Sequence, residues 1–402
     1  MRGEFLLLLR DKHHDMDLLL NIYTSRKAAM IFAATGLLAL SACSGGSSAP
    51  TGDDVAMADT LTHHAQYLVL ADQGHGMVRA DIANPWSDGK TLARYALVQR
   101  DSLLPENLDN DIKVIRVPVE KAAVFSSVYT SALNELGALD CVKAVADGAY
   151  FPPADTVRTL MAQGLITDAG AAAAPSVELL AQAGVEAVLL SVFNGATVTL
   201  PPTAVEVKCV DYMETTPIGR AEWLVLLGEL TGKRREAQKI FSDVIDNYSS
   251  TAFKAAGAQS PKPKILAETE VSGVWYVAGG DSYMARIFAD AGAEWPWADT
   301  DDSGSLALSI EDVAAKAMDA DLWLVRGYGF DTTPESLAAI NSRYKAFKAW
   351  KEGNIYSCNS AERPIFDDAA FHPDRILAEY TAIFHPEVMP GYELRYFKRT
   401  GK

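Results

Sequence analysis

Apolar and polar positions follow two different periodicities along this chain, and their alternation predicts a mixed α/β protein. Short apolar runs rich in β-branched residues, such as 112–117, predict strands. Runs in which apolar residues recur every three to four positions predict helices. The two patterns alternate from about 111 to 216 and again from 264 onward. Strands that alternate with helices of this length predict mainly parallel sheets with helices on their faces.

The predicted elements fall into two series with a β-rich segment before them. Three short strands, at 67–70, 77–82 and 93–98, predict a β-rich N-terminal addition within 65–100. The later strands are predicted at 112–117, 122–125, 142–146, 187–192, 204–210, 264–267, 274–277, 354–357 and 392–397. Helices are predicted at 131–139, 177–184, 283–291 and 373–384, with a polar loop at 126–130.

One helix-then-strand pattern occurs twice. The first copy opens with Ser176-Val177-Glu178 and the second with Ser309-Ile310-Glu311. In each copy a Ser precedes a short helix, and an acidic residue followed by Ala then leads into an apolar run. Two copies of one unit predict two lobes of like design with a cleft between them.

A long amphipathic stretch separates the two series. Apolar residues recur at helical spacing from Trp223 to Tyr248, after a Pro217 that suits the first turn of a helix. Gly232 is a candidate break between two helices. We therefore assign the following parts, of which the third includes the β-rich addition: 1–43 signal region, 44–60 flexible tether, 61–216 N-terminal lobe, 217–256 interdomain helix and 257–402 C-terminal lobe.

The start of the chain has the features of an export signal. Residues 30–40 are almost wholly apolar, follow Arg26-Lys27 and end in Leu40-Ser41-Ala42-Cys43. This run is too short for a permanent transmembrane helix. The Leu-Ser-Ala-Cys sequence resembles a bacterial lipobox, which predicts lipidation of Cys43. The small polar residues at 44–60 would tether the body of the protein to the membrane.

Net charge, cysteine count and histidine spacing limit the classes of partner and site that this chain can have. The formal net charge is −16, and a body this acidic argues against nucleic acid as a partner. After Cys43 the cysteines are Cys141, Cys209 and Cys358, an odd number that leaves at least one thiol unpaired within the chain. A disulfide between Cys141 and Cys209 stays open. Because no two histidines of this part stand at i and i+4, no dedicated zinc site is expected.

The ordered set of motifs resembles the class III periplasmic substrate-binding proteins of ABC importers, which bind ferric siderophores, haem or vitamin B12. The motifs are 136–139 before the strand at 142–146, the two Ser-x-Glu units, and the long helix after Pro217. The resemblance implies two doubly wound lobes joined by a long rigid helix, with the ligand in the cleft. It further implies that Glu178 and Glu311 dock onto arginines of a permease dimer. The alternative is that each Glu only favours a helix start through the helix dipole.

The ligand site is expected at the carboxyl ends of the strands, where open α/β sheets bind ligands. The loops there carry aromatic residues, which suit a macrocycle or catecholate, and arginines, which suit an anionic chelate. The candidates are Ser127, Tyr129, Tyr150, Phe151, Phe193, Asn194, Trp275, Tyr276, Arg326, Tyr328, Arg363 and Phe366. The family often has Glu on the helix after the first ligand loop, where this chain has Ser131.

We therefore expect an exported, lipid-anchored monomer that has no cofactor and delivers an iron chelate or cobalamin to its permease. Two other classes stay open: a two-lobed lipoprotein enzyme such as a metal chelatase, and a surface adhesion module. An enzyme would hold a titratable residue with a shifted pKa deep in the cleft. Sequence motifs of catalysis are missing, and His372-Pro373-Asp374 and His385-Pro386-Glu387 are interpreted as element boundaries.

Overall fold

The computed structural model describes residues 59–105, 107–151 and 155–401. The signal region, Cys43 and nearly all of the predicted tether lie outside these residues. The strands, in chain order, are β1 Asp59–Thr60, β2 Leu68–Asp72, β3 Met77–Ala83, β4 Thr91–Gln99, β5 Ile112–Val117, β6 Ala122–Val124, β7 Val142–Val145, β8 Thr167–Asp168, β9 Ala187–Ser191, β10 Val205–Cys209, β11 Ile265–Ala267, β12 Glu270–Val271, β13 Val274–Ala278, β14 Ser305–Leu308, β15 Leu322–Gly327, β16 Ile355–Asn359 and β17 Lys398–Arg399.

The α-helices are distributed between and after these strands. They are α1 Ser127–Glu135, α2 Thr156–Ala162, α3 Val177–Gln182, α4 Pro217–Ala221, α5 Trp223–Thr231, α6 Arg234–Ala256, α7 Tyr283–Asp290, α8 Ile310–Ala317, α9 Pro334–Ile340, α10 Lys348–Glu352, α11 Ile365–Phe371 and α12 Pro373–Phe384. Short 3₁₀ turns lie at Leu139–Cys141, Gly148–Tyr150, Asp211–Met213, Ser342–Ala346 and Pro386–Val388.

The N-terminal lobe is built on a parallel sheet of five strands in the order β10-β9-β6-β7-β8. Its interior strand β9, between β10 and β6, buries four consecutive residues from Ala187 to Leu190. Continuous burial of this kind is expected when helices and other elements cover both faces of a parallel sheet.

The β-rich segment forms a second five-stranded sheet in the order β1-β2-β3-β4-β5. Strands β1 to β4 pair antiparallel, and β5 pairs parallel with β4. Its buried residues Leu68, Ile82 and Leu97 belong to the same core as Val188 of the parallel sheet. The Tyr95 hydroxyl donates to the Glu206 carbonyl at 2.9 Å, which ties the two sheets together.

Two buried glutamates hold the chain that enters this sheet. The Glu222 carboxylate accepts backbone N–H groups of His63, His64 and Ala65, each at 2.7 Å. Glu214 accepts those of the next two residues at 2.8 and 3.0 Å. A buried carboxylate is tolerated when backbone donors surround it in this way.

The stretch predicted as one or two long helices contains three. Thr216 caps α4 by accepting the Gly219 N–H, with Pro217 in the first turn. Gly232 ends α5 with a left-handed φ of 69°, which confirms the predicted break. The following α6 has 23 residues, and it places Phe241 and Val244 in the core of the N-terminal lobe and Tyr248 in that of the C-terminal lobe. One helix therefore contributes to both cores.

The C-terminal lobe contains a four-stranded sheet and a three-stranded one. In the first, β11, β15 and β16 are parallel, and β17 is added antiparallel at the edge. In the second, β12, β13 and β14 are antiparallel. Trp275 and Trp323 stack at 5.8 Å between ring centres and pack against Tyr344 and Phe347. The mixed α/β class with parallel sheets in two lobes is confirmed.

Two local predictions are wrong, and one open question is answered. The polar residues 126–130 do not form a loop, because Ser126 precedes α1 and the helix starts at Ser127 rather than at 131. The segment 392–397 is not a strand, because the backbone N–H groups of Tyr396 and Phe397 are bound by the buried Glu379 carboxylate. Cys141, Cys209 and Cys358 are all buried and unpaired, so the open question of a disulfide is answered in the negative.

Candidate functional site

Both Ser-x-Glu units begin helices, as the repeated pattern predicts. The Ser176 hydroxyl accepts the Leu179 N–H at 3.2 Å, and Ser309 forms a reciprocal capping box with Asp312. Glu178 and Glu311 lie in the first turns of α3 and α8, and both are exposed.

The two glutamates differ in their partners. Glu311 accepts an N–H of Arg343 at 2.5 Å, and this bond holds the pKa of Glu311 below its usual value. Glu178 accepts only a bond of 3.3 Å from Gln182 among the described residues. Glu311 of the C-terminal lobe therefore has the stronger partner of the two glutamates, a charged arginine at shorter distance.

A chain of polar side chains leads from the N-terminal sheet toward the C-terminal lobe. The Tyr129 hydroxyl lies 2.8 Å from Ser191 Oγ and donates to Asp211 Oδ1 at 2.6 Å. The other oxygen of Asp211 accepts Arg220 Nε at 3.1 Å. Burial raises the pKa of Tyr129 well above its usual value, and the neighbouring Asp211 carboxylate adds to the effect. Tyr129 therefore stays a neutral donor that orients Asp211.

Arg220 also reaches the C-terminal lobe. Its guanidinium carbon lies 4.8 Å from the ring centre of Tyr283, the first residue of α7. The Arg220 side chain is 11% exposed, although its only described hydrogen bond runs from Nε to Asp211. Its two terminal amino groups thus remain available to a ligand, since none of the described residues accepts from them.

A second arginine lies at the end of β15 in the C-terminal lobe. Arg326 pairs with Glu268, and its guanidinium carbon lies 5.0 Å from the ring centre of Phe366. Burial alone would lower the pKa of Arg326, but the Glu268 carboxylate raises it above the usual value. Glu268 has a left-handed φ of 64°, an uncommon conformation for a residue with a side chain and one that is often held at functional sites.

The residue after Phe366 connects the two lobes. Asp367 Oδ1 accepts the Ser127 hydroxyl at 2.5 Å, from the first residue of α1. Burial raises the pKa of Asp367 to about 6, against the opposing effect of the Ser127 bond. The candidate site therefore includes residues of α1, represented by Ser127, and of α11, represented by Phe366 and Asp367.

The structure brings four of the predicted ligand residues into this arrangement: Ser127, Tyr129, Arg326 and Phe366. Three of the twelve predicted residues are buried among core side chains, with exposures of 0% for Trp275, 2% for Tyr129 and 3% for Phe151, so direct contact of these three with a ligand stays a prediction. Arg363 is engaged by the Tyr396 carbonyl at 2.8 Å and by Asp331 at 3.3 Å. The two terminal amino groups of Arg363, predicted to bind the ligand, therefore already donate to other residues of the protein.

The remaining predicted residues keep exposed or partly exposed surface. Tyr276 is half-buried on β13, whereas Tyr150 and Tyr328 are 41% and 44% exposed. Phe193 and Asn194 follow β9, the former half-buried and the latter exposed. Their role in binding stays a prediction.

Sequence reasoning missed Asp211, Arg220, Glu268, Tyr283 and Asp367. One signal was available. Asp367 and Asp368 interrupt an otherwise apolar run from Ile365 to Phe371. Charges in such places indicate partners from elsewhere in the chain.

No group of three or more His, Cys, Asp or Glu residues that could hold a metal ion occurs among residues 59–105, 107–151 and 155–401. Within the same ranges, no helix is both long and apolar enough to cross a membrane.

Comparison with known proteins defines the class. Residues 123–362 match the model of the periplasmic binding protein family. The chain therefore belongs to the periplasmic binding protein family, and the resemblance to its class III members is confirmed.

The chain is also similar to three individual proteins. It is 25% identical to an uncharacterized lipoprotein of Methanocaldococcus jannaschii over 79% of this chain and 80% of the relative. A periplasmic heme-binding protein of Pseudomonas aeruginosa is similar in fold, with a TM-score of 0.53, 15% identity and coverage of 70% of this chain and 98% of that protein. Helicobacter pylori CeuE in a nickel–histidine complex has a TM-score of 0.53, 18% identity and coverage of 69% and 87%.

Proposed function

We propose that this protein is the substrate-binding protein of an ABC importer and captures an anionic metal chelate, either a ferric siderophore or haem, with cobalamin as a further candidate. The observation that carries the proposal is the pair Arg220 and Arg326, one contacting Tyr283 and the other Phe366. Each guanidinium is largely buried and is neutralised by one carboxylate. Each retains at least one terminal amino group with no acceptor among the described residues.

The chemistry of these groups fits a chelate. An arginine binds carboxylate or phenolate-type oxygens with paired N–H donors, and an aromatic ring contacts a flat ligand face. The similar folds of the heme-binding protein and of CeuE with its nickel–histidine complex support a ligand of this class.

Export and anchoring form part of the proposal. Cys43 would carry the lipid, and the similarity to an archaeal lipoprotein over 80% of its length supports an anchored protein at the cell envelope. Glu178 and Glu311 would dock onto the permease dimer. Their exposure on two separate helix starts suits electrostatic registration of a complex.

A metal chelatase is the second candidate, because Asp367 is a buried carboxyl with a pKa of about 6 beside Phe366. A chelatase would use such a group to take protons from a macrocycle as the metal enters. The Ser127 hydroxyl already occupies one of its oxygens. Asp367→Asn would abolish metal insertion by a chelatase but leave chelate binding by a transport protein intact.

The test of the proposal is a titration of the purified protein with haem, cobalamin, a ferric catecholate and a ferric hydroxamate, followed by tryptophan fluorescence and calorimetry. We expect at least one of these to bind at micromolar concentration or tighter. Arg220→Gln and Arg326→Gln should each weaken binding about tenfold or more, because a charge-assisted hydrogen bond is lost. Arg286→Gln is the matched control, since Arg286 is exposed and forms an ion pair with Asp290 on its own helix. Failure of all four ligands to bind would contradict the proposal.

A further inference from the structure

Helix α11 forms a second link between the lobes in addition to α6. Its residues Ile365 and Ala369 pack in the core of the C-terminal lobe, whereas Ala370 and Phe371 pack in that of the N-terminal lobe. Phe371 lies 6.4 Å from Tyr129 between ring centres. The same helix carries Phe366 beneath Arg326. Any change in the contact of the lobes must therefore move or strain α11.

Two polar contacts tie the ends of α11 to α1. At its start, Asp367 accepts the hydroxyl of Ser127 at 2.5 Å. Just beyond its end, His372 Nε2 lies 2.5 Å from Glu135 Oε2, and Arg375 donates to the other oxygen of Glu135 at 3.0 Å. Ser127 and Glu135 are the first and last residues of α1. The two helices are thus joined at both ends.

The surroundings of His372 favour its cationic form. Its Nδ1 lies 3.7 Å from Asp374 Oδ1, a buried oxygen for which no described residue provides a hydrogen bond. The other oxygen of Asp374 accepts a 3.3 Å bond from Asn247 on α6. A doubly protonated imidazole faces a carboxylate at each nitrogen, whereas a neutral one leaves one of the two without a proton. Arg375, which also pairs with Asp368, is the opposing positive charge nearby.

We infer that α1 and α11 form a proton-controlled latch between the lobes, closed by Asp367–Ser127 and Glu135–His372 in mild acid and loosened as the pH rises. The latch is independent of the identity of the ligand.

The two contacts respond to pH in the same direction. Burial raises the pKa of Asp367 to about 6, with the charges of Asp155 and Asp368 adding to the effect. Above that pH the latched state holds a buried charge that it would lose on opening to water, so alkaline pH favours release. Burial alone would lower the pKa of His372, but Asp374 and Glu135 raise it above its usual value. The charge-assisted bond to Glu135 is therefore lost as the pH rises through that raised pKa.

The experiment measures the distance between spin labels on Leu179→Cys and Ile340→Cys in the full chain carrying Cys43→Ser. Both positions are exposed, one on each lobe, while Cys141, Cys209 and Cys358 are buried and escape labelling. From about pH 5 to about pH 8 we expect the ligand-free protein to shift to longer, broader distances. An unchanged distribution would overturn the latch.

Two variants shift the response in opposite directions. Asp367→Asn removes the buried charge and should lengthen less than the parent at about pH 8, because only the Glu135–His372 contact still loosens. Glu135→Gln, from the more exposed side of the contact, should lengthen the distance already at about pH 5. Asp301→Asn and Glu362→Gln are exposed controls that should behave as the parent does. If both latch variants keep the parent's pH response, the two contacts do not form a latch.

Discussion

The guanidinium carbon of Arg220 lies 4.8 Å from the ring centre of Tyr283, and this contact joins α4 to α7. The hydrogen bond from Arg220 Nε to Asp211 fixes the orientation in which the guanidinium meets the ring. The pair places a cation and an aromatic surface at one point between the lobes. The proposed ligand site and the contact between the lobes therefore share residues.

Tyr283→Leu should lower the free energy of unfolding by about 1 kcal/mol, because the cation–π contact with Arg220 is lost. Tyr283→Phe retains the ring and should stay within about 0.5 kcal/mol of the parent. Chemical denaturation measures both. Equal losses for the two variants would show that the hydroxyl, rather than the ring, makes the contribution.

Glu379→Ala should destabilise the protein by about 3 kcal/mol or more, since it leaves three backbone N–H donors without an acceptor. Glu379 has 0% exposure and accepts from Arg395, Tyr396 and Phe397 at 2.7–2.8 Å. Hydrogen exchange at 395–397 should rise in the same variant. Glu393→Ala, at an exposed position nearby, should change the unfolding free energy by less than about 0.5 kcal/mol.

The thiols of Cys141, Cys209 and Cys358 should be unreactive in the native protein at neutral pH. All three are buried, and burial raises the pKa of Cys141 to about 11 and that of Cys358 to about 12. Because the thiolate is the reactive form, a thiol-specific reagent should label them only after denaturation. Reaction of fewer than three of these thiols in the denatured, unreduced chain would point to a disulfide.

Removal of both proposed docking carboxylates should abolish transport without weakening ligand binding. Glu178→Ala together with Glu311→Ala leaves the Arg220 and Arg326 site unchanged, so the titration curve should match that of the parent. Uptake in cells that carry the cognate permease is the readout. Glu362→Ala with Glu393→Ala, two other exposed carboxylates, is the matched control. A loss of ligand binding in the docking variant would remove this assignment.

Much of the element order could be predicted from local pattern. The strand at Ile112–Val117 and the helix at Pro373–Phe384 have the predicted bounds, because a β-branched run and a proline-started amphipathic run are local signals. The start of α1 was missed because Ser127 and Thr130 read as a loop. Thr130 is nevertheless buried within the helix, and it satisfies its hydroxyl by donating to the Ser127 carbonyl.

The candidate site was predictable only in part. Arg326 lies at the carboxyl end of the parallel strand β15, and Phe366 lies on α11, which follows β16, so the rule that ligands bind beyond parallel strands identifies both. Trp275 lies inside the antiparallel strand β13 and packs on Trp323, a contact between different strands that no local pattern encodes. Arg220 and Tyr283 become partners only when the two lobes are assembled.

The sequence by itself determined the α/β class, the two Ser-x-Glu helix starts and the long helical stretch, because these depend on residues within a turn or two of one another. Only the tertiary structure decided which charged side chains meet. Ser127 with Asp367 and Glu135 with His372 are separated by 240 and 237 positions in the chain. Such pairs depend on the packing of α11 against α1, and their energies depend on burial, which no single stretch of sequence contains.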